Sequence, residues 1–217
     1  MLGVCADVSR RRELAGRAHP ARFGEGELAL ACGRGAADPA AGLATVLGAG
    51  GLALADWAAL ARDPSLAEAF VHVVVIDPAP FAHLESRAAL GEGYFHAAWG
   101  DAELDFAINV HDGEWALRDA LAALYRAARA GGELRGAALA AALTGAERHP
   151  RSAEQAGRCV RVLEEVALAR WDETGTDAVL GALSSEGTEL ERSGAYLAYK
   201  ARREEGRRFL SRQRRAR

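Results

Sequence analysis

His72-Val-Val-Val-Ile-Asp77-Pro-Ala-Pro80 decides how the first half of the chain is read. Four β-branched residues run unbroken from Val73 to Ile76 into a carboxylate, and Pro78 and Pro80 then remove the donors a strand needs to continue. An apolar run without polar alternation predicts a strand buried on both faces, in the middle of a parallel sheet. Outward from this anchor the same punctuation recurs. Leu2–Ala6 runs into Asp7, Gly51–Ala55 into Asp56, and Tyr94–Trp99 into Gly100-Asp101. Glu27–Cys32 reads as a further strand, followed by the loop Gly33-Arg34-Gly35 and an alanine-rich helix near Pro39–Leu47. Pro80–Leu90 reads as a helix. Strands separated by helices of this length predict an α/β domain over residues 1–100, a parallel sheet with flanking helices.

The totals bound the function classes. A chain of 217 residues, half of them apolar, can bury a real core. No apolar run reaches the roughly 20 residues of a membrane span, and no signal-peptide pattern opens the chain. The expected location is cytoplasmic, with no membrane partner. Cys5, Cys32 and Cys159 sit singly in apolar runs, without a C-x-x-C pair, which predicts reduced thiols rather than a disulfide frame or zinc site. The formal charge of −3 conceals an asymmetry: Lys200–Arg217 carries nine Lys/Arg against two Glu. That is a net +7 on the tail and −10 on the body, a global hint of a polyanionic partner.

Carboxylates at four strand ends admit two readings. The carboxyl edge of an open parallel sheet is the usual ligand crevice, so Asp7, Asp56, Asp77 and Asp101 could hold magnesium or a nucleotide. Each could equally cap the helix that follows. An apolar strand ending in Asp resembles the second acidic motif of nucleotide-driven helicases. The chain, however, has no G-x-x-x-x-G-K-[ST] phosphate loop. Gly33-Arg34-Gly35 lacks the lysine, and Gly48-Ala49-Gly50-Gly51 precedes a strand rather than opening a helix. There is no G-x-S-x-G elbow, and His72, His83, His96 and His111 show no metal-ligand spacing.

The second half is mostly helical. Asp101–Ala130 forms the connecting region 101–130, weakest at Asp112-Gly113, with Leu117, Leu121, Leu124 and Ala128 on one stripe and Trp115 and Tyr125 close to it. Gly131-Gly132 stops it. A helix over Leu134–Leu143 and a second opened by the capping pattern Ser152-Ala-Glu-Gln155 follow. Then come two apolar runs, Leu168–Trp171 and Ala178–Leu183, around the loop Asp172–Asp177. That order predicts a winged-helix module over 131–187, with Arg158 and Arg161 on its last helix diluted by Glu154, Glu164 and Glu165. Residues 188–217 form a basic helical tail with Ser193 as its cap and Arg202, Arg203, Arg207 and Arg208 along it. These six arginines are candidate nucleic-acid or partner contacts. Arg10, Arg11 and Arg12 join them, because cations at a helix start oppose its dipole.

Several stretches together resemble the C-terminal region of the RecJ family of single-strand-specific DNA exonucleases. They are Cys5-Ala-Asp7-Val-Ser-Arg-Arg11, Phe70-Val-His72 through Pro80, and Trp99-Gly-Asp-Ala-Glu103-Leu-Asp-Phe106. Leu121-Ala-Ala-Leu124-Tyr125-Arg126 and Thr188-Glu-Leu190-Glu-Arg-Ser193-Gly-Ala-Tyr196 complete the set. The resemblance covers nearly the whole chain. It implies a degenerate helicase- or RecA-like α/β domain, then the winged helix and tail. The family's 5′→3′ hydrolysis of single-stranded DNA, in repair and recombination, uses manganese or magnesium held by an Asp-His-His motif. This sequence has neither adjacent histidines nor an Asp-His pair. The expectation is therefore an accessory segment with no catalytic or metal-ligating residue of its own. Its expected partners are single-stranded DNA, the acidic tail of single-strand DNA-binding protein, and an upstream catalytic domain of the same polypeptide or gene. Two alternatives stand beside it, a self-standing metal-dependent α/β enzyme using the aspartate ridge and an independent winged-helix DNA-binding protein.

Overall fold

The computed structural model describes residues 1–23, 28–34, 43, 51–146, 149–174, 177–184 and 187–215, with nothing said of the side chains at 14–15, 18–23 and 174. Apart from Leu43, the helix expected near Pro39–Leu47 lies outside the described residues, as do Gly35 and Gly48–Gly50. The chain divides into two compact units, Met1–His111 with Glu205–Arg217, and Asp112–Glu204.

The first unit begins with β1 (Leu2–Cys5), α1 (Val8–Phe23), β2 (Ala29–Ala31) and β3 (Ala53–Asp56). It continues through α2 (Trp57–Arg62), α3 (Ser65–Glu68), β4 (His72–Val75), α4 (Ala82–Ala88) and β5 (Tyr94–Ala97). The five strands are parallel, in the order β2-β3-β1-β4-β5. The α/β reading is thus correct, with one correction of emphasis. β1, buried along its whole length, holds the centre, while β4 lies beside the exposed edge strand β5. Val73 and Val75 are buried but His72 is exposed and Val74 half-buried. An apolar run does not guarantee two covered faces when its neighbour is an edge.

Three of the four strand-end aspartates are held by protein groups, and the fourth, Asp101, is exposed. Asp56 Oδ1 accepts from Ala59 N at 2.8 Å, capping α2, and from Gly33 N at 2.9 Å. A Cβ on Gly33 would lie 1.9 Å from Ala59 N, so that approach requires glycine. Asp7 accepts from Arg10 N at 3.1 Å and pairs with Arg34 at 2.6 Å. Asp77 accepts from Ala6 N at 2.9 Å and binds the Arg11 guanidinium through both of its oxygens. The Asp77 carbonyl also accepts from the Trp57 indole at 3.0 Å. Where nucleotide-binding sheets place a ligand, this one places arginines.

Burial pushes the Asp56 carboxyl up, against the opposing pull of its two backbone donors, the Cys32 thiol and Arg34. A folded pKa above the unfolded one gives stability that is complete below the unfolded value and lost as pH rises through the folded one. Asp56→Asn keeps a side-chain oxygen for the two N–H groups and removes that loss. Urea titrations are expected to show the variant gaining on the parent as pH rises above the ordinary aspartate value of about 4. A difference that does not change with pH would refute the assignment. The three cysteines are free, and burial raises the Cys5 thiol well above its usual range and the Cys159 thiol to about 11.

The N-terminal part of α5 (Asp101–Trp115) and the C-terminal part of α9 (Gly194–Arg215) also belong to the first unit. Leu210 is fully buried with Leu104 and Ala107. Gly206 lies so close to His111 that a Cβ would meet the ring at 2.3 Å. The end of the basic helix is packed, not frayed, at these positions.

The second unit contains α6 (Leu117–Gly131), β6 (Glu133–Arg135), α7 (Gly136–Thr144), α8 (Ala153–Glu165), β7 (Ala169–Thr174) and β8 (Asp177–Ala182), then a 3-10 turn at Leu190–Arg192 and the start of α9. The three strands form an antiparallel sheet, β6-β8-β7. Leu121 and Leu124 from the predicted α6 stripe meet Leu163 and Leu180 in one core. Leu134 belongs to β6 rather than to the expected helix, because Gly132 and Gly136, both at positive φ, turn the chain on either side of it. The helical break falls at Ala116, not Asp112-Gly113. Among the described residues no helix is long and apolar enough to cross a membrane.

Candidate functional site

The second unit carries a groove of about 450 Å³ along the start of α6 and the first turns of α9. Its aromatic wall is Trp115, Tyr196 and Tyr199, with the Trp115 and Tyr199 rings 6.2 Å apart and tilted by 55°. Arg118, Lys200 and Arg203 supply cations, balanced by Asp119, Glu191 and Glu204.

The local sequence explains how these groups are held. Ser193 Oγ accepts from Tyr196 N at 2.9 Å, the predicted cap, and donates to Glu165 at 2.7 Å. Glu165 also accepts from Ala195 N at 2.9 Å, and these bonds together with Arg161 hold its carboxyl below the usual range. The end of α8 therefore fixes the start of α9, and with it both tyrosines. Trp115 is fixed from the other side by Arg158, whose guanidinium lies 4.0 Å over the indole ring. The same group donates to the Glu114 carbonyl at 3.0 Å and carboxylate at 2.9 Å. Glu114 in turn accepts from Ser152 Oγ at 2.6 Å. Gln155, expected to complete a capping box, instead donates to the Gly113 carbonyl at 2.6 Å. Of the groove cations, Arg118 reaches Glu191 at 3.6 Å and Arg203 pairs with Asp112 at 2.9 Å. Lys200 is exposed and takes part in no ion pair among the described residues.

No family model, no curated protein and no solved structure matches the chain. The site is therefore read from its own geometry.

The nine arginines singled out from the sequence divide into distinct environments. Arg10 pairs with Asp7 at 3.2 Å, and Arg11 with Asp77 while lying 4.0 Å over the Phe106 ring. Arg12 is exposed. Arg158 packs on Trp115 and pairs with Glu114, and Arg161 pairs with Glu165 at 3.2 Å. Arg203 lines the groove, and Arg202 is half-buried beside it in sequence. Arg207 and Arg208 are exposed on the part of α9 that belongs to the first unit, where Arg212 stands 5.7 Å over Phe209 and Arg214 pairs with Asp105. Among the described residues no group of three or more His, Cys, Asp or Glu is gathered as for a metal ion. The aromatic wall was not legible as a site. Trp115 lies on α5 and Tyr196 and Tyr199 on α9, far apart in sequence, and the fold brings them together.

Proposed function

We propose that the chain is the accessory C-terminal region of a RecJ-type single-strand exonuclease, and that the groove of its second unit receives the acidic tail of single-strand DNA-binding protein. The observation that carries this reading is the pairing of an aromatic wall with Lys200 and Arg118. An apolar side chain stacks on the wall while carboxylates meet the cations, and the groove's own acidic residues disfavour a continuous phosphate chain. Manganese- or magnesium-dependent hydrolysis belongs, on this reading, to an upstream catalytic domain. The α/β unit is a degenerate relative of helicase sheets, with Arg11 facing Asp77. The second unit is a winged helix by the order of its helices and hairpin, used for protein contact. Both arginines of α8 are engaged within the unit, which argues against an independent duplex reader.

A second reading rests on Arg207 and Arg208, exposed on the basic end of α9. There single-stranded DNA would be held electrostatically.

The two readings separate in one experiment. A fluorescent acidic peptide ending in an apolar residue with a free carboxylate is expected to bind. Lys200→Glu should weaken it about tenfold or more, the loss of a charge-assisted hydrogen bond of about 1.5 kcal/mol. Arg207→Glu with Arg208→Glu should leave the peptide unaffected. Oligothymidine binding that falls with the arginine pair and ignores Lys200 would replace the first reading with the second.

A further inference from the structure

His72 and His96 stand 24 residues apart in sequence and face one another on adjacent strands of the first unit, His72 Nδ1 lying 3.1 Å from His96 Nε2. The parallel register sets His72 opposite Tyr94 and Val74 opposite His96, so both histidines and Tyr94 share one face of the sheet edge. All three are exposed. Their rings form a ladder, with His72 at 5.3 Å and 18° from Tyr94, and at 5.4 Å and 27° from His96.

From this geometry we propose that His72 and His96 form a two-histidine chelate for a borderline divalent transition ion, copper(II) or nickel(II) foremost, with water completing the coordination. The argument is one of distances. Metal–imidazole bonds of about 2.0–2.1 Å to nitrogens 3.1 Å apart subtend about 95–100° at the ion. That angle lies close to the right angle of tetragonal copper and nickel sites. The facing nitrogens are already at the separation a shared ion requires.

The proton balance is simple. In the neutral pair one facing nitrogen carries the hydrogen and the other accepts it. On chelation that hydrogen moves to the outer nitrogen of the same ring, and both lone pairs face the ion. No proton is lost and no redox partner is needed. The pair is independent of the groove in the second unit and of the reading given to it.

Copper(II) titration of the full chain, with nitrogen hyperfine structure read by electron paramagnetic resonance, tests the proposal. Two equivalent imidazole nitrogens are expected at one equivalent of copper. His72→Gln or His96→Gln keeps a polar side chain at an exposed position, so folding is retained and is checked by circular dichroism. Either change should weaken binding about 10²-fold, because the second ligand then loses its intramolecular advantage. The double variant should bind no more tightly than either single one, although four of the six histidines remain. A one-nitrogen spectrum for the parent, or equal affinity in parent and double variant, would overturn the assignment. Nickel(II) binding by calorimetry, lost in the same variants, would extend it to a second ion of the class.

Discussion

Asp77→Ala is expected to destabilise the α/β unit by about 3–5 kcal/mol, the usual cost of removing one partner from a buried ion pair. Asp77 is fully buried, and the Arg11 side chain is only 16% exposed. Without the carboxylate, the guanidinium loses both bonds and Ala6 N loses its acceptor. Arg11 retains its contact with the Phe106 ring and the charge of Glu103 nearby. Asp77→Asn should cost less, since an amide oxygen can still accept from one donor. Arg11→Met with Asp77→Leu should recover part of the loss by replacing ion-pair desolvation with packing. Urea denaturation of the four proteins, followed by tryptophan fluorescence, measures the series. Near-parent stability of Asp77→Ala would show that the pair contributes nothing to the fold and would reopen Asp77 as a ligand-facing carboxylate.

Leu210→Ala should cost about 2–5 kcal/mol, the range for a large-to-small change in a closed core. Leu210 is fully buried against Leu104 and Ala107, with Ala6, Trp99 and Ile108 packed around them. Because Gly206 already approaches His111 closely one turn earlier, the helix has little freedom to slide and refill the cavity. The same substitution at Leu197, which is 47% exposed on the same helix, is the control and should fall within about 0.5 kcal/mol. Hydrogen exchange along Glu205–Arg215 gives the local readout: protection in the parent that falls in Leu210→Ala. Equal exchange in the two proteins would mean that this end of the helix is solvated despite its packing.

Much of the architecture was written in short-range signals. Proline after Asp77, the carboxylates at the ends of β1 and β3, the α6 leucine stripe and the Ser152 and Ser193 caps each act within a few residues and could be read from the chain alone. What escaped depends on neighbours distant in sequence. His72 could not be recognised as exposed without knowing that β5 is an edge. β6 is only three residues long and exists because β8, more than forty residues later, supplies its partners. Arg11 and Arg158 read as surface cations, yet each meets its carboxylate through tertiary packing. The groove has the same origin, since its aromatic residues come from two helices separated by the entire α6–β8 segment.

The Arg11–Asp77 pair has a consequence for how the sheet keeps its fold. Proteins that fill this crevice with a nucleotide or ion draw part of their stability from ligand concentration, through a term that grows as RT ln(1 + [L]/Kd). Here the neutralising cation is covalently part of the polypeptide, so its effective supply never varies. The charge of Asp77 is thus balanced within the chain itself, whatever the concentration of any ligand.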